Sequence, residues 1–159
     1  MSKVVEATLL DVDLPAEPQS ASRARRAVLH ALSGIAVDRD AVGVVVSEAV
    51  TNAVVHAYRD RERPGQVHVS ASVDDDGVDI TVADDGVGLR PRTDSPGVGL
   101  GMPLISDLAD RVEITGAHPG TRVAAHFVLM GAAGPHGRPV ARHQVGGRAE
   151  RHTARLVAA

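Results

Sequence analysis

The chain has 159 residues, 43% of them hydrophobic, and a formal net charge of −3. That length suits one domain with a real core, and the absence of cysteine excludes disulfides, thiolate metal sites and a thiol nucleophile. Tyr58 and Phe127 are the only aromatic residues, so the core must be Val, Ala, Leu and Ile, and any base-binding pocket must work without ring stacking.

Charge is unevenly spread. Residues 131–159 hold five arginines against one glutamate, a charge of +4, which leaves −7 on the first 130 residues. A mildly acidic body is not a nucleic-acid footprint. No apolar run reaches the roughly 18 residues that span a bilayer. The opening MSKVVEATLL has neither the long apolar stretch nor the small-residue cleavage site of a secretory signal. The expectation is a cytoplasmic protein with no membrane partner and no direct nucleic-acid partner.

In chain order, residues 8–14 (TLLDVDL) alternate apolar and polar, Leu9 excepted, and predict a first strand that Pro15 and Pro18 end. Ser20 or Ser22 can cap a helix running to Leu32, with Ala24, Ala27, Val28, Ala31 and Leu32 on its apolar face. Arg23, Arg25 and Arg26 lie mostly off that face, either as a solvated surface or as a contact for phosphate or a partner. Gly34 is placed to end the helix.

Asp38 or Asp40 then opens the central stretch, residues 42–58 (VGVVVSEAVTNAVVHAY). Its valines favour a strand, but about 18 unbroken residues are far too many for one. As a helix it is apolar nearly all round, and therefore buried. Glu48, Asn52 and His56 fall at i, i+4 and i+8 on one polar stripe. Burying such groups without partners costs roughly 2–7 kcal/mol for a neutral one and more for a charge. The stripe must open onto water or a ligand.

A charged loop follows at residues 59–65. Residues 67–73 alternate as a strand with Val67, Val69, Ala71 and Val73 on one face, and Asp74-Asp75-Asp76-Gly77 reads as a hairpin turn in which the Asp-Gly pair supplies positive φ. The acidic triple lacks the further ligands of a calcium loop. Val78, Ile80 and Val82 mark the returning strand, which ends at Ala83-Asp84-Asp85-Gly86. After a Gly-, Pro- and Asp-rich loop, residues 100–110 predict a helix with Leu104, Ile105, Leu108 and Ala109 inward and Pro103 in its first turn. Two last strands fall at residues 112–115 and 121–130. Residues 131–159 show no sustained apolar period and read as a basic, disordered or weakly helical tail to a domain of residues 1–130. This order, β-α-α-β-β-loop-α-β-β, predicts an α+β, two-layer sandwich with a mixed, mostly antiparallel sheet and helices on one face.

Two glycine clusters carry chemistry. Asp84-Asp85-Gly86-Val87-Gly88 sits where a carboxylate can emerge from a strand end. Gly97-Val98-Gly99-Leu100-Gly101 leads into a helix, where glycine lets backbone approach a ligand and free N–H groups can meet phosphate. The second cluster has neither the βαβ setting of a dinucleotide fingerprint nor the Gly-Lys-Ser/Thr of a P-loop.

Taken together, E-A-V-T-N on a helix, D-x-G-x-G after a strand, G-x-G-x-G before a helix and G-T opening a late strand resemble the Bergerat ATP-binding fold. Within it the chain is most similar to the small bacterial anti-sigma-factor serine/threonine kinases, whose helix motif is matched by Ser47-Glu48-Ala49-Val50-Thr51-Asn52-Ala53. The resemblance spans about residues 8–130 and implies ATP and Mg2+ as ligands. It implies that Asn52 holds the metal, that Asp84 accepts from the adenine amino group, and that Gly86 and Gly88 shape the adenine side. Gly97, Gly99, Leu100, Gly101 and Met102 would wrap the phosphates, Thr121 would support Asp84, and Glu48 would be the general base. Many relatives carry an arginine where this chain has Leu100; Arg90 or Arg92 is the alternative source of charge. His56 is read as structural and His68 as exposed. The implied activity is phosphorylation of a serine on an anti-sigma-factor antagonist by a protein that also binds a sigma factor, and a homodimer is compatible with it. The alternatives are a nucleotide-binding adaptor with little or no transfer, and an ATPase or detached histidine-kinase domain.

Overall fold

The computed structural model describes residues 6–57, 65–86, 101–116, 119–131 and 155–158. Strand β1 (Ala7–Pro15) is followed by helices α1 (Gln19–Ala31) and α2 (Arg39–Asn52), a π-helical turn (Ala53–Ala57), strands β2 (Gln66–Val73) and β3 (Gly77–Asp84), helix α3 (Gly101–Leu108), and strands β4 (Arg111–Gly116), β5 (Thr121–Val128) and β6 (Arg155–Ala158). The strands form one sheet in the order β1-β2-β3-β5-β4-β6. All neighbours are antiparallel except β4 and β6, which run parallel. The architecture is the expected two-layer α+β sandwich with a mixed, mostly antiparallel sheet.

Alternation in the strands puts one side of the sheet under the helices. Val67, Val69 and Ala71 of β2, Val78, Ile80 and Val82 of β3, and Val123, Ala125 and Phe127 of β5 are all buried. They share one core with Ala24, Val28 and Leu32 from α1 and its end, with Val42, Val45, Val46, Ala49 and Val50 of α2, and with Ile105 of α3. The opposite side of the sheet is polar. There His68 Nδ1 lies 2.9 Å from Asp13, its Nε2 3.4 Å from Asp11, and His126 Nδ1 3.0 Å from Asp79. His126 is nevertheless buried.

Several local expectations need correction. Neither serine caps α1: Pro18 occupies the cap position, Ser20 Oγ donates back to the Pro15 carbonyl at 2.5 Å, and Ser22 Oγ donates to the Gln19 carbonyl at 2.9 Å. At α2, in contrast, Asp38 is the cap, its carboxylate accepting from the Ala41 N–H at 3.0 Å. Gly77 has no positive φ; glycine is needed there because a side chain would strike the Phe127 carbonyl oxygen and come within 2.9 Å of the His126 ring. Asp74 shapes that turn instead, accepting from the N–H groups of Asp76 at 2.8 Å and Gly77 at 3.0 Å. Leu104, expected inward, is 37% exposed, while Ile105 on the same helix is fully buried.

The central helix also differs. It is α-helical only to Asn52, after which the winding loosens into the π turn. The Ala53 N–H is shared between the Ala49 and Val50 carbonyls, a three-centre bond of the kind found at helix ends. The step from Asn52 to His56 is therefore not an α-helical i+4 spacing, and the three-residue stripe is regular only between Glu48 and Asn52. Finally, the tail was expected to lack regular structure, yet residues Arg155–Ala158 pair with β4. The physical reason is the free edge of β4, a row of unpaired N–H and C=O groups that an extended segment satisfies.

Candidate functional site

The site begins from the register of the sheet. Leu14, Val67, Asp84, Thr121, Gly116 and Ala158 are successive partners and form one transverse row across all six strands. Asp84 has the parity of Val78, Ile80 and Val82, and Thr121 that of Val123, Ala125 and Phe127, so both project on the helix side. Each is half-buried.

The Asp84 carboxylate accepts a hydrogen bond from the Gly86 N–H at 2.9 Å, an Asx-type turn that fixes the carboxylate as the chain leaves the strand. Gly86 is buried. Asp85 turns the other way, its carboxylate 3.4 Å from the Gln66 N–H. Gly120, just before Thr121, sits at φ +102°; a Cβ there would overlap the Asp84 carbonyl oxygen and lie 2.8 Å from the Asp84 carbonyl carbon and 3.2 Å from Asp85 Cα. No side chain can replace this hydrogen without moving the end of β3. The G-T pair was visible as a motif, but only Thr121 was singled out from it. Gly120 is the residue that reading missed, and its signal was the glycine immediately before the strand.

Helix α2 brings the second half. It packs between α1 and α3 and against β3 and β5, and the π turn after it packs on β3. Its start is tied to the far end of the sheet, because the Met130 N–H, just beyond β5, donates to the Ala36 carbonyl at 2.6 Å. Fourteen residues of α-helix run about 21 Å, close to the roughly 26 Å length of an eight-residue strand. Asn52, the last residue of α2, therefore emerges at the end of the sheet where β3 finishes with Asp84. Glu48 lies one turn earlier, about 6 Å back along the axis. Both side chains are half-buried, and among the described residues no hydrogen bond or ion pair engages either. Ser47 is spent structurally, donating to the Gly43 carbonyl at 2.8 Å.

The structure thus brings Glu48, Asn52, Asp84, Gly86 and Thr121 to one end and one side of the sheet. Gly101 begins α3 and Met102 packs against the core from that helix. Gly88, Gly97, Gly99 and Leu100, together with Arg90 and Arg92, lie outside the described residues. The arrangement offers a carboxylate suited to an exocyclic amine at a strand end. At a helix end it offers an amide oxygen suited to a hard cation, with a second carboxylate one turn away. No described helix is long and apolar enough to cross a membrane.

The chain resembles known proteins along most of its length. The family described as "Histidine kinase-like ATPase domain" matches residues 14–127, from the end of β1 through β5. The chain is 32% identical over 157 residues to serine-protein kinase RsbW of Bacillus velezensis, covering 85% of this chain and 94% of that one. It is 38% identical over 104 residues to the anti-sigma F factor of Heyndrickxia coagulans, covering 55% and 69% respectively. Among solved structures, the RsbU and RsbW domains of a Mycobacterium tuberculosis protein superpose with a TM-score of 0.58 at 25% identity, over 76% of this chain and 32% of that longer one. By the span of the domain match, and by its identity to the Bacillus kinase along most of both sequences, the chain belongs to the anti-sigma-factor serine-protein kinases within the histidine kinase-like ATPase superfamily.

Proposed function

We propose that the chain is a protein serine kinase that transfers the γ-phosphoryl group of ATP to a serine of an anti-sigma-factor antagonist, and that it also binds a sigma factor. The observation that carries this reading is the convergence of Asn52 and Asp84 on one end and one side of the sheet. They are set to hold opposite ends of one nucleotide. Asp84, with Thr121 paired opposite it and Gly86 on its carboxylate, takes the adenine amino group. Gly101 and Met102, at the start of α3, meet the phosphates together with Gly88, Gly97, Gly99 and Leu100.

Mg2+ fits the donors present. The Asn52 amide oxygen and the Glu48 carboxylate are hard oxygen ligands, half-buried and uncommitted to other described residues. Asn52 is the residue to hold the ion, and a bound Mg2+ supplies charge neutralisation to the phosphates. Glu48 then accepts the proton of the incoming serine hydroxyl as its oxygen bonds to the γ-phosphorus and the bond to the bridging oxygen of ADP breaks. Phosphoryl transfer asks mainly for positioning and electrostatics, so one base on a packed helix is sufficient protein chemistry.

The test is Glu48→Ala. ATP and Mg2+ binding should survive, while labelled phosphate transfer to a cognate antagonist should fall by about 100-fold or more. Transfer at the wild-type rate removes Glu48 as the base. A wild-type protein with no measurable ATP affinity removes the whole reading.

A further inference from the structure

We propose that the outer edge of β4 is a strand-binding surface which residues Arg155–Ala158 keep occupied in cis, so that the same segment of a second copy of this chain gains this edge only by displacing them. Strand β4 is paired on one side with β5 and on the other with β6 alone. The family match ends at residue 127, so the sixth strand is built from sequence beyond the shared domain. Removing it exposes β4 as an open edge, the kind of surface that accepts extended peptides through main-chain hydrogen bonds.

The occupant is built to be displaceable. It has four residues, shorter than the usual strand, and it pairs in the parallel sense, which is slightly the weaker per residue. Its register is defined: Arg155 opposite Glu113, Leu156 opposite Ile114, Val157 opposite Thr115 and Ala158 opposite Gly116. Covalent attachment to the same chain compensates for the short strand, because pairing in cis is intramolecular and set by an effective concentration rather than a free one. A free competitor must exceed that, or bring further contacts. The strap also ends in the transverse row that contains Thr121 and Asp84. A second copy's segment taking this edge in the same register would therefore end in that row, with β4 and β5 between it and β3, although the strap itself does not depend on the proposed adenine site.

The experiment uses the full chain carrying both Leu156→Pro and Val157→Pro: successive N–H groups of a strand point to opposite sides, so the pair removes a donor that faces β4 whichever of the two residues carries it. Two readouts are taken: hydrogen exchange of β4 amides, and fluorescence anisotropy of a labelled peptide with the sequence of residues 151–159. The expected result is that β4 protection falls by about tenfold or more in the variant while exchange in β2 and β3 is unchanged. The peptide should bind the variant at least about tenfold more tightly than wild type, and a peptide with proline in place of both Leu156 and Val157 should bind neither. Unchanged β4 protection, or a peptide that does not distinguish variant from wild type, overturns the proposal.

Discussion

Gly120→Ala is the substitution that most sharply tests how the strand end is held. The residue sits at φ +102°, a conformation that costs a side-chain-bearing residue about 1–2 kcal/mol. The added methyl also overlaps the Asp84 carbonyl oxygen and falls 2.8 Å from its carbon and 3.2 Å from Asp85 Cα. All three are backbone atoms, so no flexible side chain can give way, and β3 and β5 must part at the Asp84–Thr121 pair. A total loss of about 2–4 kcal/mol follows from backbone strain and overpacking together. At roughly 2–4 °C per kcal/mol for a domain of this size, Tm should fall by about 5–15 °C. The same displacement would move the Asp84 carboxylate off the adenine amino group that it is proposed to hold. Loss of one hydrogen bond to a charged group, about 1.5–3 kcal/mol, weakens ATP roughly 10- to 100-fold. Calorimetric ATP titration well below the variant's Tm, alongside a thermal melt, measures both quantities. A variant that melts with wild type and binds ATP equally well refutes the argument.

Two further outcomes are expected. Asp84→Asn should weaken ATP by about 10- to 100-fold and leave GTP affinity unchanged, measured by competition titration; equal loss for both nucleotides contradicts adenine recognition by this carboxylate. Asp38→Ala removes the α2 cap, whose carboxylate meets the Ala41 N–H at 3.0 Å. It should cost about 1 kcal/mol of stability without changing ATP affinity, because the site lies at the other end of that helix; a change in affinity larger than the melt explains counts against that placement.

The elements most legible in the sequence were those whose patterns admit one physical reading. Val67-x-Val69-x-Ala71 and Val78-x-Ile80-x-Val82 mark one apolar face of each strand, and all six of those residues are buried, although Thr81 on the opposite face is buried too. The length of the valine-rich stretch left no alternative to a helix for α2, and Asp38 lay where a cap was needed. Other features depend on tertiary partners that no local pattern encodes. Ser20 looked like a cap, but Pro15 lies close enough to take its hydroxyl. The change of winding at Asn52 carries no composition signal, because valine and alanine continue through it. Arg155–Ala158 has no alternation of its own and is a strand only because β4 offers an edge. For the proposed site, Asp84, Asn52 and Glu48 stand out by their motifs, whereas the contact that makes Gly120 irreplaceable arises only when β3 and β5 are paired.

A core filled almost wholly with valine and alanine makes for a thin sandwich. Helices approach what lies beneath them according to the size of the side chains in between, and among the described residues those of the core are small, with Phe127 the only aromatic side chain of Phe, Tyr or Trp type. The scarcity of aromatic residues thus does more than deny the base a stacking partner. Small side chains let a helix sit close to its sheet, which would shorten the span that the proposed nucleotide bridges between a carboxamide above and a carboxylate below. Bulkier filling, even if well packed, would raise the roof and widen the grip.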